Sequence, residues 1–140
     1  MSNDPSCKSR VKGHLKNRVS DLRKLFKAYQ MGWEDRYPDI GTFAEYGLCF
    51  DYVAPNTFND QPQGYFRYQL STGGPGDEFR FYVNLDLSVY KIEYWFLDWF
   101  DGAKVILKPS QQRYKLLLDI YEFFNEIGSC QSELDRAMES

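Results

Sequence analysis

The stretch Gly64–Gly102, GYFRYQLSTGGPGDEFRFYVNLDLSVYKIEYWFLDWFDG, decides the fold. Phe66, Tyr68 and Leu70 share one parity, with Tyr65, Arg67 and Gln69 on the other. After a Gly-Gly-Pro-Gly-Asp break, Phe79, Phe81 and Val83 alternate with Arg80, Tyr82 and Asn84. A second break precedes Tyr90, Ile92, Tyr94 and Phe96, which alternate with Lys91, Glu93 and Trp95. Alternation at period two in aromatic and β-branched residues, bounded by turn residues, predicts three consecutive antiparallel strands. The parity of Phe66, Phe81 and Ile92 is expected to face helices. The opposite parity carries Asp51, Arg67, Arg80, Lys91 and Glu93 with Tyr65, Tyr82 and Trp95, as a wet sheet face tolerates.

Outward from this stretch, Leu48–Val53 also alternates and predicts a first strand. Ala54–Gly64 is a long polar connection containing Pro55 and Pro62, longer than a tight hairpin and of a kind that often serves binding. Thr42 and Glu45 have the spacing of a capping box, and Gly47 is placed to stop that short helix. Between Ser9 and Gln30, Val11, Leu15, Val19, Leu22, Phe26 and Tyr29 form one helical stripe. Gly13 weakens its start, which moves the firm helix toward His14. On the other side, Lys104–Lys108 (KVILK) fits either a short edge strand or an irregular segment. Pro109 ends it, and Ser110 is expected to cap a second long helix. The stripe of that helix is Tyr114, Leu117, Leu118, Tyr121, Phe124 and Ile127, and Gly128 is its C′ residue. A short, fraying helix follows. The expected fold is α+β: a four-stranded antiparallel meander flanked by an N-terminal and a C-terminal helix. Residues 1–8 are expected to be disordered and 9–140 to form one domain.

Composition narrows the function classes. The 140 residues carry a net charge of −3. Residues 1–37 contribute +5 and the remainder −8, so a basic start precedes an acidic body. Three well-separated cysteines and one histidine exclude a zinc site of ordinary spacing. Free thiols fit a reducing cytoplasm. MSNDPSCKSR has no apolar core, so no signal peptide is expected, and no apolar run reaches the roughly 18 residues of a membrane span. Aromatic residues make up 18% of the chain, more than a small core hides easily.

Catalytic motifs are weak. His14, the only histidine base, lies near the start of a surface helix. Asp98 and Asp101 resemble an acid/base pair, but they occupy a turn, where Asp is favoured for local hydrogen bonding. Gly73–Gly76 lacks both the P-loop lysine and the dinucleotide spacing, and it joins two strands. Two features point instead to binding. Asp119, Glu122 and Glu126 fall at i, i+3 and i+7 on the second long helix, where they make either a solvated face or an imitation of a phosphate backbone. Trp95 and Trp99 flank Phe96, Phe100, Asp98 and Asp101 at a strand end and make either a core corner or a protein-binding patch, to which Tyr82 would add a further anchor.

Glu45–Pro55, Tyr65–Ser71 with Gly74–Phe81, and Glu93–Gly102 resemble small proteins carried by bacterial mobile elements. The similarity spans roughly residues 42–103. Such genes often sit among phage and plasmid inhibitors of host defence, the anti-restriction and anti-CRISPR proteins. The resemblance implies an intracellular protein that works by binding, and no catalytic residue comes with it. The expectation is a non-enzymatic inhibitor without metal or cofactor. Its partner is a basic, nucleic-acid-handling complex, contacted through Tyr82, Trp95, Asp98, Trp99, Asp101, Asp119, Glu122 and Glu126. The alternatives are a toxin-neutralising immunity protein, a nucleic-acid binder acting through the basic helix, and a metal-dependent hydrolase using Asp51, Glu93, Arg67 and Arg80. The −8 body argues against direct contact with a duplex.

Overall fold

A computed structural model describes residues 6–139. Four helices flank one antiparallel sheet: α1 Cys7–Met31, α2 Phe43–Tyr46, α3 Gln112–Glu126 and α4 Ser129–Met138. The strands are β1 Cys49–Val53, β2 Tyr65–Ser71, β3 Gly76–Val83, β4 Val89–Asp98 and β5 Asp101–Leu107, in the order β1-β2-β3-β4-β5. The sheet therefore has five strands, not four. Lys104–Leu107 of KVILK form the second half of β5, which continues the meander across the hairpin at Trp99–Phe100.

Cross-strand register explains the core. Tyr52, Phe66, Phe81, Ile92 and Leu107 lie side by side across the sheet, and Phe50, Tyr68, Phe79, Tyr94 and Val105 form the next row. Both rows face the helices. The α1 stripe of Val11, Leu15, Leu22, Leu25 and Phe26 is buried and packs on β4 and β5. Tyr121 of α3 sets its ring 5.9 Å from Phe66 and 5.2 Å from Phe81. Phe124 stacks on Phe50 at 4.3 Å.

Several local expectations are corrected. Residues 1–5 lie outside the described residues, but Ser6 to Lys8 are ordered into α1: Ser6 accepts from the Ser9 amide and Cys7 is fully buried. Thr42 makes no side-chain cap; its carbonyl, not its hydroxyl, accepts from the Glu45 amide. Gly47 is needed for close approach, because a Cβ there would come 2.3 Å from the Tyr68 ring. Gln111, not Ser110, occupies the N-cap position of α3, and no side chain caps that helix. Ile127 is exposed instead of joining the α3 stripe. Gly128 adopts the left-handed conformation expected beyond α3, φ +88°. The last helix does not fray: α4 packs against β1 and buries Cys130 completely.

The Gln61 side chain ties together the long connection after β1. Gln61 accepts from the amides of Thr57 and Phe58 and donates to the carbonyls of Ala54 and Gln63. Its residues fold over one end of the sheet face that points away from the helices.

Candidate functional site

The sheet face opposite the helices carries an ordered charge grid. Asp51, Arg67, Arg80 and Glu93 stand in one cross-strand row. Arg67 holds Asp51 in a two-pronged pair, Nε–Oδ1 2.9 Å and Nη2–Oδ2 2.7 Å. Arg80 donates to Glu78 at 2.7 Å and stacks on the rings of Trp95 and Tyr65 at 4.1 and 4.6 Å. Glu93 is only 1% exposed. The Tyr82 hydroxyl and the Trp95 indole N–H donate to its Oε1 at 2.9 and 3.0 Å, and Lys104 donates to Oε2 at 3.2 Å. Lys91 lies 3.7 Å from the same Oε2. Burial acts to raise the Glu93 pKa, but the hydrogen bonds from Trp95, Tyr82 and Lys104 outweigh it and hold the carboxyl below its ordinary range.

Tyr82 and Trp95 therefore have internal work: they keep Glu93 charged inside the sheet. A 360 Å³ cleft lies between this network and the loop over Phe58–Gln63. Asp51 and Glu93 stand on β1 and β4 with two strands between them, about 14 Å apart at the usual strand spacing. Each is neutralised by its own cation, so they do not converge on a shared metal. Among the described residues no three His, Cys, Asp or Glu side chains gather as a metal site. The His14 ring lies stacked on Phe96 at 4.3 Å.

The β4–β5 hairpin separates the acids from the aromatics. Asp98 pairs with Arg10. Asp101 accepts from the Cys7 amide at 2.8 Å and from the Gly102 amide at 2.9 Å. The Cys7 amide is the main reason the Asp101 pKa is lowered. Both acids thus latch the start of α1, with Asp101 serving as the anion at its positive end. Trp99 and Phe100 project from the tip, 84% and 105% exposed. Trp99 has φ +55°, in the region that favours glycine. Its indole lies on the β2–β3 turn, where a Cβ on Gly74 would come 3.1 Å from Nε1.

The α3 carboxylates are exposed, as their spacing predicts. Glu122 and Glu126 line a 370 Å³ groove together with Asp86 of the β3–β4 turn. Hydrogen bonds fix that turn. Tyr121 donates to the Leu87 carbonyl at 2.7 Å, and Asp86 accepts from the Ser88 amide and hydroxyl. The bonds from Ser88 keep the Asp86 pKa low. Asp86 carried no signal in the sequence, because Asp in a turn is ordinarily there for that local bonding. Leu85 stands fully exposed beside it.

The eight residues singled out from the sequence thus occupy three places. Tyr82 and Trp95 lie on the face away from the helices, and Asp98, Trp99 and Asp101 at the β4–β5 turn. Asp119, Glu122 and Glu126 lie on α3, the last two facing the β3–β4 turn. The two turns close opposite ends of β4, whose ten residues span about 30 Å. Among the described residues no helix is long and apolar enough to cross a membrane. No protein-family model, curated protein or solved structure matches the chain.

Proposed function

We propose that this protein is a non-enzymatic binding protein that blocks a basic, nucleic-acid-handling partner, of the anti-restriction or anti-CRISPR type, through the groove of Asp86, Glu122 and Glu126. One contrast carries this reading. All but one of the carboxylates on the sheet pair with a cation: Asp51 with Arg67, Asp77 with Arg18, Glu78 with Arg80, Glu93 with Lys104 and Asp98 with Arg10, while Asp101 is held by two backbone amides. The groove has three carboxylates and no Lys or Arg in its lining. Asp119 extends the row by one turn of α3. Unpaired like charges on a rigid helix and a pinned turn project a negative field, which steers a basic surface into contact and rejects a negative one. Trp99 and Phe100, at the far end of β4, belong to a separate contact.

Capture from nuclease-treated bacterial lysate tests this. The expected result is a nucleic-acid-binding protein that added duplex DNA releases from the column. Glu122→Lys/Glu126→Lys should lose that partner without a change in melting temperature. Retention of the same partner by the charge-reversed variant, or capture of no such partner, overturns the proposal.

A further inference from the structure

The opposite charge collects at the other end of α3. A groove of 600 Å³ runs between α1, β5 and the start of α3, lined by Lys12, Lys16, Arg23 and Arg113 over a floor that includes Val19 and Val105. No carboxylate lines it. Lys12, Lys16, Val19 and Arg23 are spaced i, i+4, i+7 and i+11, one stripe about 16 Å long. Of the eight Lys and Arg residues of α1, two pair with the sheet. Arg10 and Arg18 turn to Asp98 and Asp77 of the sheet. Lys12, Lys16 and Arg23 make no ion pair among the described residues, and neither does Arg113.

The start of α3 sharpens the imbalance. A helix begins best with an acidic first turn and a Ser, Thr, Asp or Asn cap. Here the first turn has no acid and no side-chain cap. The Gln111 side chain is occupied by the Lys108 amide and by Arg113 Nε, at 2.9 and 3.0 Å. Arg113 thus adds positive charge to the positive end of a helix, facing three more cations across the groove. Local rules are broken together here, as they are at functional or strained positions, and no acid offsets the added charge.

We infer that this groove binds the phosphate backbone of a nucleic-acid strand without reading its bases. The row is linear and longer than one phosphate. Its lining holds no aromatic ring on which a base could stack, so the contact is electrostatic. The chain's acidic total is no obstacle at this spot, since the carboxylates of the proposed protein-binding groove lie at the opposite end of α3. The inference does not rest on that groove.

Fluorescence anisotropy of the full chain with a labelled 20-nucleotide single strand and the corresponding duplex, both of mixed sequence, tests it. Binding should be sequence-independent. Four phosphate contacts give a log–log salt slope of about −3 to −4. Lys16→Glu/Arg23→Glu should weaken binding by more than about tenfold, and Glu122→Lys/Glu126→Lys should not weaken it. Arg113→Glu should weaken binding yet raise the melting temperature of the free protein, because it supplies the missing acid at the start of α3. No binding at low salt, or equal binding by the Lys16→Glu/Arg23→Glu variant, overturns the inference. Tripolyphosphate that displaces the strand at equal molar concentration would also overturn it, by assigning the groove to free polyphosphate.

Discussion

Asp77 sits on the helix side of the sheet, only 3% exposed. Arg18 meets it with two bonds, Nε–Oδ2 2.7 Å and Nη2–Oδ1 3.0 Å. Tyr94 donates to Oδ2 at 2.6 Å and the Ser71 hydroxyl to Oδ1. Arg18 also donates to the Tyr46 hydroxyl at 3.0 Å, which donates to Asp21 at 2.8 Å. Burial disfavours the Arg18 charge, but the bonds to Asp77 and Tyr46 prevail and its pKa rises. The same site pushes the Tyr46 phenol up to about 12, chiefly by burial. Arg18→Met leaves a buried carboxylate without its cation, so a loss of about 3–5 kcal/mol is expected in urea melts. Asp77→Asn should cost less in the Arg18→Met background than in the wild type, since the charge it removes is by then a liability. Additive costs would show that the pair is not coupled. Trp99 presents the opposite case. A left-handed backbone is costly for a bulky residue and natural for glycine at the first central position of such a hairpin. Trp99→Gly should therefore raise stability, by about 1 kcal/mol at most. A fall in the melting midpoint would mean that the indole's contact with the Gly74 turn outweighs the strain.

At the scale of elements, Phe81 is the centre of the sheet. Its neighbours across the register are Phe66 and Ile92, with Tyr121 above. Phe81→Ala should cost about 3–5 kcal/mol, as a large aromatic side chain is removed from a fully buried position. A loss under about 1 kcal/mol in denaturant melts would remove Phe81 from the core. The strands around it were legible because their parity is strong and their turns carry Gly, Pro, Asn and Asp. β5 was not. It opens with Asp101, Gly102 and Ala103, all poor strand formers, and pairing with β4 supplies what propensity lacks. α4 offers few apolar residues, chiefly Cys130 and Leu134, and its stability comes from lying on β1. The start of α1 depends on Asp101, 94 residues away, a partner that no local window contains. The candidate sites divide in the same way. Helical spacing was enough to put Asp119, Glu122 and Glu126 on the surface. Parity put Tyr82 and Trp95 on the outer sheet face, but their donation to Glu93 depends on cross-strand register and on a loop folded back over them. Asp86 joins the α3 acids only through the β3–β4 turn, and the basic groove forms only when α1, β5 and the start of α3 meet.

For the whole molecule, the buried polar groups set a pH window for stability. On the acid side, Glu93 keeps a lowered pKa in the folded state. Its contribution is present above the unfolded carboxylate pKa of about 4.3 and is lost as pH falls through the folded value. On the alkaline side stand several phenols raised by burial, foremost Tyr68, Tyr82, Tyr94 and Tyr121. Burial is the leading cause raising each of them, and contacts with Glu93, Asp77 and Cys130 add to the shift at Tyr82, Tyr94 and Tyr121. Cys130 beside Tyr121 is raised to about 11, again by burial. A phenol that resists ionisation in the fold binds its proton more tightly there than in the unfolded chain. Its stabilisation is complete below the unfolded value of about 10 and disappears as pH rises toward the folded value. Four such groups in one small sheet-and-helix core should make alkaline unfolding steep. The expected behaviour is a flat denaturation midpoint between about pH 5 and 9, then a sharp fall above about pH 10. Phenolate absorbance for these four tyrosines should appear only with the loss of tertiary circular dichroism. Ionisation of nearly all eleven tyrosines near pH 10 with the fold intact would contradict the buried aromatic core on which the sheet, and with it every proposed surface, depends.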